Sequence, residues 1–353
     1  MYFYLFIIFL IIIIFGLFKN KNHALIVSFF LLTLVSALRK YTVGVDTAQF
    51  CKAFLNIGRD TSWNYTNFRY EPGFYYLSKI LYSLFKSPQS LIIVSSIFIN
   101  YSVYNLIKKN SKDYFFSTLL FINMNIFFSY MNVMRAAIAV AILLYGYKYI
   151  KERIYVKYLI VVLIAFLFHK AAIGSLFLVV FMMLPRKKSS YLVIIATAIA
   201  TFVLYKPFFG IISSLLGYSD YANGSFGIGN TFAAVLRFLE TLVTIVTLSI
   251  IANTKERGKT DKDIYVLFVI ALIYLWFQFL SIKMIIFNRV YGLYDIYLII
   301  FIPMLLGIIK EKNHNNYKFL KLFIICLYFP SFLVISHFRP EWFGVIPYTF
   351  FWN

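Results

Sequence analysis

Acid is scarce in this 353-residue chain, with 13 Asp and Glu against 34 Lys and Arg and a net charge of +21. Charged residues of both signs reach only 13%, where a soluble chain carries about 25%. A surface facing water on all sides is therefore excluded. Cysteine is nearly absent: Cys51 and Cys326 lie far apart and form no CxxC or metal-ligand spacing, so neither a disulfide framework nor a zinc site is supported. No glycine-rich phosphate loop and no nucleophile elbow occur. What fills the chain instead is apolar, 62% hydrophobic and 21% aromatic with a mean hydropathy of +0.81. The class that follows is an all-α, polytopic transmembrane helical bundle. The excess of positive charge does not point to nucleic acid, because the basic residues cluster in short connectors between apolar runs.

The apolar runs predict about 12 segments, near 2–18, 23–38, 90–107, 114–130, 133–150, 156–168, 171–184, 190–205, 231–252, 264–282, 285–308 and 318–336. The opening MYFYLFIIFLIIIIFGLF lacks the basic start of a secretory signal and reads as a first membrane helix. Alternate connectors carry Lys19/Lys21, Lys108/Lys109/Lys112, Lys148/Lys151/Arg153/Lys157, Arg186/Lys187/Lys188, Lys255/Arg257/Lys259/Lys262 and Lys310/Lys312/Lys318/Lys321. The positive-inside rule makes these cytoplasmic. Both termini, the loop 39–89 and the loop 206–230 are then expected outside, on a single integral membrane domain spanning 1–353. The run Tyr155–Leu184 is too long for one straight span and short for two. A pair of short helices or a re-entrant hairpin keeps the alternation and makes AFLFHKAA a polar turn beneath the outer surface, which needs protein or a wet cavity around it.

Sorted by side, the unusual polar residues fall on the outer half: Arg39 and Asp46 after the second segment, Arg69 and Glu71 in the outer loop, Arg135, His169, Arg237 and Glu240, and Arg289. Each has a structural alternative. Arg39 can end a helix and snorkel. Arg135 can pair locally, three residues after Asn132. Arg237 and Glu240 can pair at i, i+3. A buried histidine is commonly a satisfied core residue, and Arg289 can take a partner within the bundle. In the outer loop, Glu71-Pro72-Gly73 opens an amphipathic helix near 72–86, with Phe74, Leu77, Leu81, Leu84 and Phe85 at helical spacing and Lys79 and Lys86 elsewhere. Such a helix would lie on the membrane surface, roof a cavity and project Glu71 and Arg69 into it. Trp63, Tyr65, Tyr70, Tyr75 and Tyr76 can stack on sugar rings or anchor the loop at the interface. The cytoplasmic Asp261-Lys262-Asp263 matches a metal-holding Asp-x-Asp pattern only formally, with no room around it for a nucleotide-binding domain.

Taken in order, RKYTVGVDTAQF, YEPGFYYLSKIL, MNVMRAAIAVAI, AFLFHKAAI, FNRVYGLY and an aromatic tail with IPY resemble the EpsG family of Wzy-type O-antigen and capsular polysaccharide polymerases. The resemblance implies a helical fold of the membrane glycosyltransferase C type in a bacterial cytoplasmic membrane. It implies polymerisation, at the outer face, of repeat units carried on undecaprenyl diphosphate. Its partners would be that lipid-linked oligosaccharide, membrane lipid and a chain-length regulator, with no nucleic acid and no cofactor. Transfer from a lipid diphosphate needs stabilisation of the departing anion and a base for the acceptor hydroxyl. Arginine forks match phosphate oxygens without a metal, so Arg39, Arg69, Arg135 and Arg289 are the expected diphosphate and glycan contacts of a metal-independent glycosyltransferase. Asp46, Glu71 and His169 are the candidate bases, left equal by the sequence. Two other classes stay open. A flippase or transporter of lipid-linked glycans would place cations through both leaflets and often shows repeats, which this chain lacks. An O-antigen ligase or membrane acyltransferase would share the base but use another acceptor.

Overall fold

The structure, a computed structural model, describes residues 1–216, 231–254 and 261–353. Among the described residues it is helical, with a single isolated bridge between Arg39 and Phe350 and no β-strand. The helices are α1 (Tyr2–Leu17), α2 (Lys21–Ala37), α3 (Thr47–Arg59), α4 (Pro72–Phe85), α5 (Pro88–Asn110), α6 (Tyr114–Asn123), α7 (Ile126–Asn132), α8 (Met134–Lys151), α9 (Tyr155–Phe166), α10 (Leu176–Met183), α11 (Lys188–Val203), α12 (Tyr205–Leu216), α13 (Thr231–Ala252), α14 (Lys262–Ser281), α15 (Asn288–Tyr291), α16 (Leu298–Lys312) and α17 (His314–Phe338).

The helices fall on the apolar runs, but twelve spans do not follow. Among the described residues, only α5, α13, α14 and α17 are each long and apolar enough to cross a membrane. Counting bent pairs as single spans, α6 with α7 (54°), α11 with α12 (96°) and the helices flanking Gly292 (48°), raises the number to seven. At ~1.5 Å per residue a 12-residue helix such as α9 reaches about 18 Å, well short of a ~30 Å hydrocarbon core. The expected loop 206–230 also changes. Its first part is α12, which accommodates Pro207 in its first turn, where a missing N–H leaves no bond unmade. The remainder, 217–230, and the basic connector 255–260 lie outside the described residues.

The helices gather into two compact units, Met1–Tyr145 with Leu163–His169 and Ile325–Asn353, and Gly146–Val162 with Lys170–Ile324. In the first, α2 packs on α5 and α6. Leu25, Phe29 and Leu32 supply the apolar contact, and Ser28, Ser36, Ser95 and Ser96 let the backbones approach. α5 starts on a Ser87 cap with Pro88 behind it and ends on Lys108 and Lys109, which complement the helix dipole. Residues 343–351 are woven onto the segment after α2. Lys40 N–H donates to Thr349 O (2.9 Å), Phe351 N–H to Leu38 O (3.0 Å) and Gly44 N–H to Gly344 O (2.7 Å), while the Tyr4 hydroxyl donates to Val345 O (3.0 Å).

In the second unit α14 is buried on nearly every face, with α11, α13 and α16 against it. Its start explains the Asp-x-Asp pattern. Asp261 caps the helix by accepting from the N–H of Asp263 (2.8 Å) and Ile264 (3.2 Å), and Asp263 pairs with Lys151 at 3.2 Å. The Tyr155–Leu184 run doubles back as a hairpin. The Tyr155 hydroxyl at the start of α9 donates to Met182 O at the end of α10 (2.9 Å). His169 sits where the chain turns.

Candidate functional site

Three short breaks in helical structure, all within the first unit, build the site. The first is the start of α4. Glu71 caps this helix in an extended conformation (φ −65°, ψ 150°), yet its carboxylate makes no bond to its own helix. Pro72 needs no partner at the first position, and the next orphan donor, Gly73 N–H, donates to Leu167 O at 2.7 Å. A Cβ on Gly73 would stand 2.7 Å from that oxygen and 2.9 Å from the Phe168 ring. The Glu-Pro-Gly sequence thus lets the α9 turn close onto α4, which delivers His169 to Glu71. The second break is that turn. His169 N–H donates to Ala165 O (3.0 Å), and the imidazole Nδ1 lies 3.4 Å from Glu71 Oε1, long for a hydrogen bond but close for an ion pair when the ring is protonated.

The third break falls between α7 and α8, at Val133. Arg135 is the second residue of α8, an unfavourable place for a cation because the helix dipole is positive there. Its Nη1 pairs directly with Glu71 Oε2. Aromatic faces surround the guanidinium, with Cζ 4.9 Å from the Tyr70 ring centroid, 5.3 Å from Phe50 and 5.8 Å from Phe74. Its Nε is buried and has no hydrogen-bond partner among the described residues. The Arg135 side chain is 20% exposed against 7% for Glu71, so the arginine is the member of the pair that solvent reaches.

Burial pushes the Glu71 carboxyl up, but the adjoining His169 imidazole and the Arg135 guanidinium outweigh it and hold the group at about 2. Glu71 is therefore an ionised acceptor lying between two nitrogen groups. Arg135 has donor capacity left over for an anion.

Of the residues singled out by sequence, Glu71, Arg135 and His169 come together. Arg69 joins from one side: it is exposed and its Cζ stands 5.5 Å from the same Tyr70 ring that Arg135 covers. Asp46 is half-buried. Its backbone N–H donates to Asn132 Oδ1 at 2.8 Å, which ties it to the α7–α8 junction. Arg39 lies apart from this cluster. It is 2% exposed, and its guanidinium donates to Ser36 O, Ser96 Oγ (3.1 Å) and Met131 O (2.9 Å). The small pocket beside it, lined by Ser95, Asn100 and Tyr130 among others, has room for about one water. Arg39 stitches the ends of α2 and α7, where carbonyl dipoles favour a cation, and so holds the junction from which Arg135 projects. Arg289 is half-buried in α15 of the second unit, as are Arg237, which hydrogen-bonds the Tyr291 hydroxyl, and Glu240, both on α13.

On α4 the apolar face divides. Phe74 and Leu81 are buried, Leu84 and Phe85 are exposed, and Lys79, expected off that face, is buried with its ammonium bonded to Ile57 O (3.0 Å) and Asp60 O. The cage residues Phe50 and Phe74 went unrecognised as site residues, because in a chain one-fifth aromatic a ring carries no positional signal. Among the described residues, no three His, Cys, Asp or Glu side chains gather as metal ligands.

An all-helical membrane protein with a carboxylate, an imidazole and a caged guanidinium joined at helix breaks is the class that fold and site define. The family model of the EpsG family matches residues 22–350, and the chain belongs to that family of Wzy-type polymerases. No curated protein and no solved structure matches it.

Proposed function

We propose that this chain is a polysaccharide polymerase that elongates a glycan carried on undecaprenyl diphosphate, with the reaction at the Glu71–Arg135–His169 cluster on the outer face of a bacterial cytoplasmic membrane. The observation that carries this reading is Arg135. It is held in an aromatic cage, tied to Glu71 through Nη1 alone and left with an unpartnered Nε. A guanidinium so placed takes a phosphate oxygen on its remaining edge. Arg69, one residue from the shared Tyr70, adds a second positive charge for the other phosphate.

In the reaction the bond between the anomeric carbon of the donor glycan and the diphosphate oxygen breaks, and a bond forms from that carbon to a hydroxyl of the acceptor repeat unit. The electron pair leaves with undecaprenyl diphosphate, whose new charge Arg135 and Arg69 stabilise. The hydroxyl proton passes to His169 or Glu71, which stand 3.4 Å apart and can share it. Arginine supplies the anion stabilisation, so the step as written uses no metal.

Reconstitution in liposomes with a lipid-linked oligosaccharide tests the reading through product length. A ladder of repeats on the lipid is expected from the wild-type protein and only the single unit from Arg135→Ala. Full-length ladders from Arg135→Ala, or translocation of the lipid without elongation, would overturn it. Transfer of preformed polymer to a different acceptor would make the protein a ligase.

A further inference from the structure

Between α3 and α4 the chain runs DTSWNYTN, and Trp63 in its middle has φ +54°, a left-handed backbone that a bulky side chain adopts at a cost. The residue is 53% exposed. One face of its ring is covered from within the fold by Lys79, whose Nζ stands 5.3 Å from the ring centroid. That lysine cannot drift, because its ammonium is bonded to Ile57 O and Asp60 O.

The loop is fixed by its own polar side chains. Asp60 accepts from the Ser62 N–H (3.2 Å) and hydroxyl, Asn64 accepts from the Thr66 N–H (3.1 Å), and Asn67 donates to Ser62 Oγ (3.3 Å). The Tyr75 hydroxyl of α4 donates to Asp60 Oδ2 at 3.1 Å. Trp63 is therefore anchored to the helix that Glu71 caps, seven residues before the Tyr70 that lies against Arg135.

We propose that the open face of Trp63 is a stacking platform for a pyranose ring of the glycan, an inference that rests on the polymerase reading above. Sugar C–H bonds carry partial positive charge and complement the negative face of an indole. A preorganised ring loses little freedom on binding. The neighbours argue against a membrane anchor: Asp60, Thr61, Ser62, Asn64, Thr66 and Asn67 are polar, and hydrocarbon would leave them without water. The platform holds a sugar distant from the reacting carbon and so sets affinity for the chain rather than the chemical step.

The test uses the purified full chain and, as probe, the water-soluble repeat-unit oligosaccharide released by mild acid from the producing cell's own lipid-linked glycan. Trp63→Gly relieves the left-handed strain as it removes the ring, and its thermal stability is measured beside that of the parent. It is expected to raise KM for the lipid-linked repeat about tenfold with kcat little changed, as loss of one stacking contact predicts. The oligosaccharide is expected to change tryptophan fluorescence in the wild type but not in Trp63→Phe. An unchanged KM in Trp63→Gly overturns the platform, and so does quenching of Trp63 by brominated lipid in place of the sugar. The underlying reading fails separately, if Arg135→Ala still makes polymer.

Discussion

Replacing Glu71 with Gln is expected to improve anion binding while slowing turnover. Glu71 is the counter-ion of Arg135, and its negative charge stands beside the guanidinium edge that, on the proposed reading, takes a phosphate oxygen. The carboxyl lies at about 2 rather than its usual 4.5, which corresponds to ~3 kcal/mol of preference for the ionised form in its surroundings. Burial opposes that preference, so His169 and Arg135 together supply more than the net value, and Arg135 holds a part of it. A glutamine has nearly the same volume and still accepts a hydrogen bond, but it holds the guanidinium without that charge. Inorganic pyrophosphate should then bind Glu71→Gln about tenfold more tightly than the wild type at neutral pH. Calorimetry on the detergent-solubilised protein reads this directly, and the liposome assay reads the loss of elongation. Equal or weaker pyrophosphate binding by Glu71→Gln would refute the idea that carboxylate and phosphate compete for Arg135.

Other perturbations separate the parts of the cluster. Because the folded Glu71 carboxyl is depressed, the stability it contributes is present above about 4.5 and lost only as pH falls through about 2. Arg135→Ala should move that loss upward toward 4.5, and acid unfolding followed by tryptophan fluorescence will show no movement if the two groups are uncoupled. Gly73→Ala forces a methyl group against Leu167 O and is expected to cost ~1–3 kcal/mol and to push His169 off Glu71; unchanged thermal stability and elongation rate would count against the close approach. Arg39→Met removes a buried donor set and should destabilise the protein by roughly 3 kcal/mol, with pyrophosphate affinity falling along with the melting temperature as the α7–α8 junction loosens. Asp261→Ala should lose about 1 kcal/mol of helix cap and retain elongation; loss of elongation in a protein of normal stability would point to a cation site there.

The helical class was legible because a run of apolar residues reports its own solvent, whatever the tertiary arrangement. The span count was not, since composition does not register a bend. Asn125 at φ +62° separates α6 from α7, and nothing in FINMNIFF distinguishes that residue from a polar side chain inside a straight helix. The grouping of Glu71, Arg135 and His169 was legible by another route, as polar residues that are costly among apolar segments. Arg39 met the same criterion and lies apart from that cluster, buried among backbone carbonyls and a serine hydroxyl. Its guanidinium meets carbonyls at two helix ends, a partner type that sequence does not display, because every residue carries one.

Why the chain tolerates a cation at the start of α8 follows from the same geometry. An arginine there opposes the helix dipole and leaves water, and neither cost is met by its own helix. Compensation comes from Glu71 on α4 and from three rings contributed by Phe50 on α3, Phe74 on α4 and Tyr70 just before it. If α4 shifts, charge and cage are lost together and Arg135 is left exposed to apolar surroundings. Substitutions that detach α4 from the α9 turn should therefore abolish anion binding more completely than they abolish folding, and Gly73→Ala, which alters no charge, is the variant in which that difference can be measured.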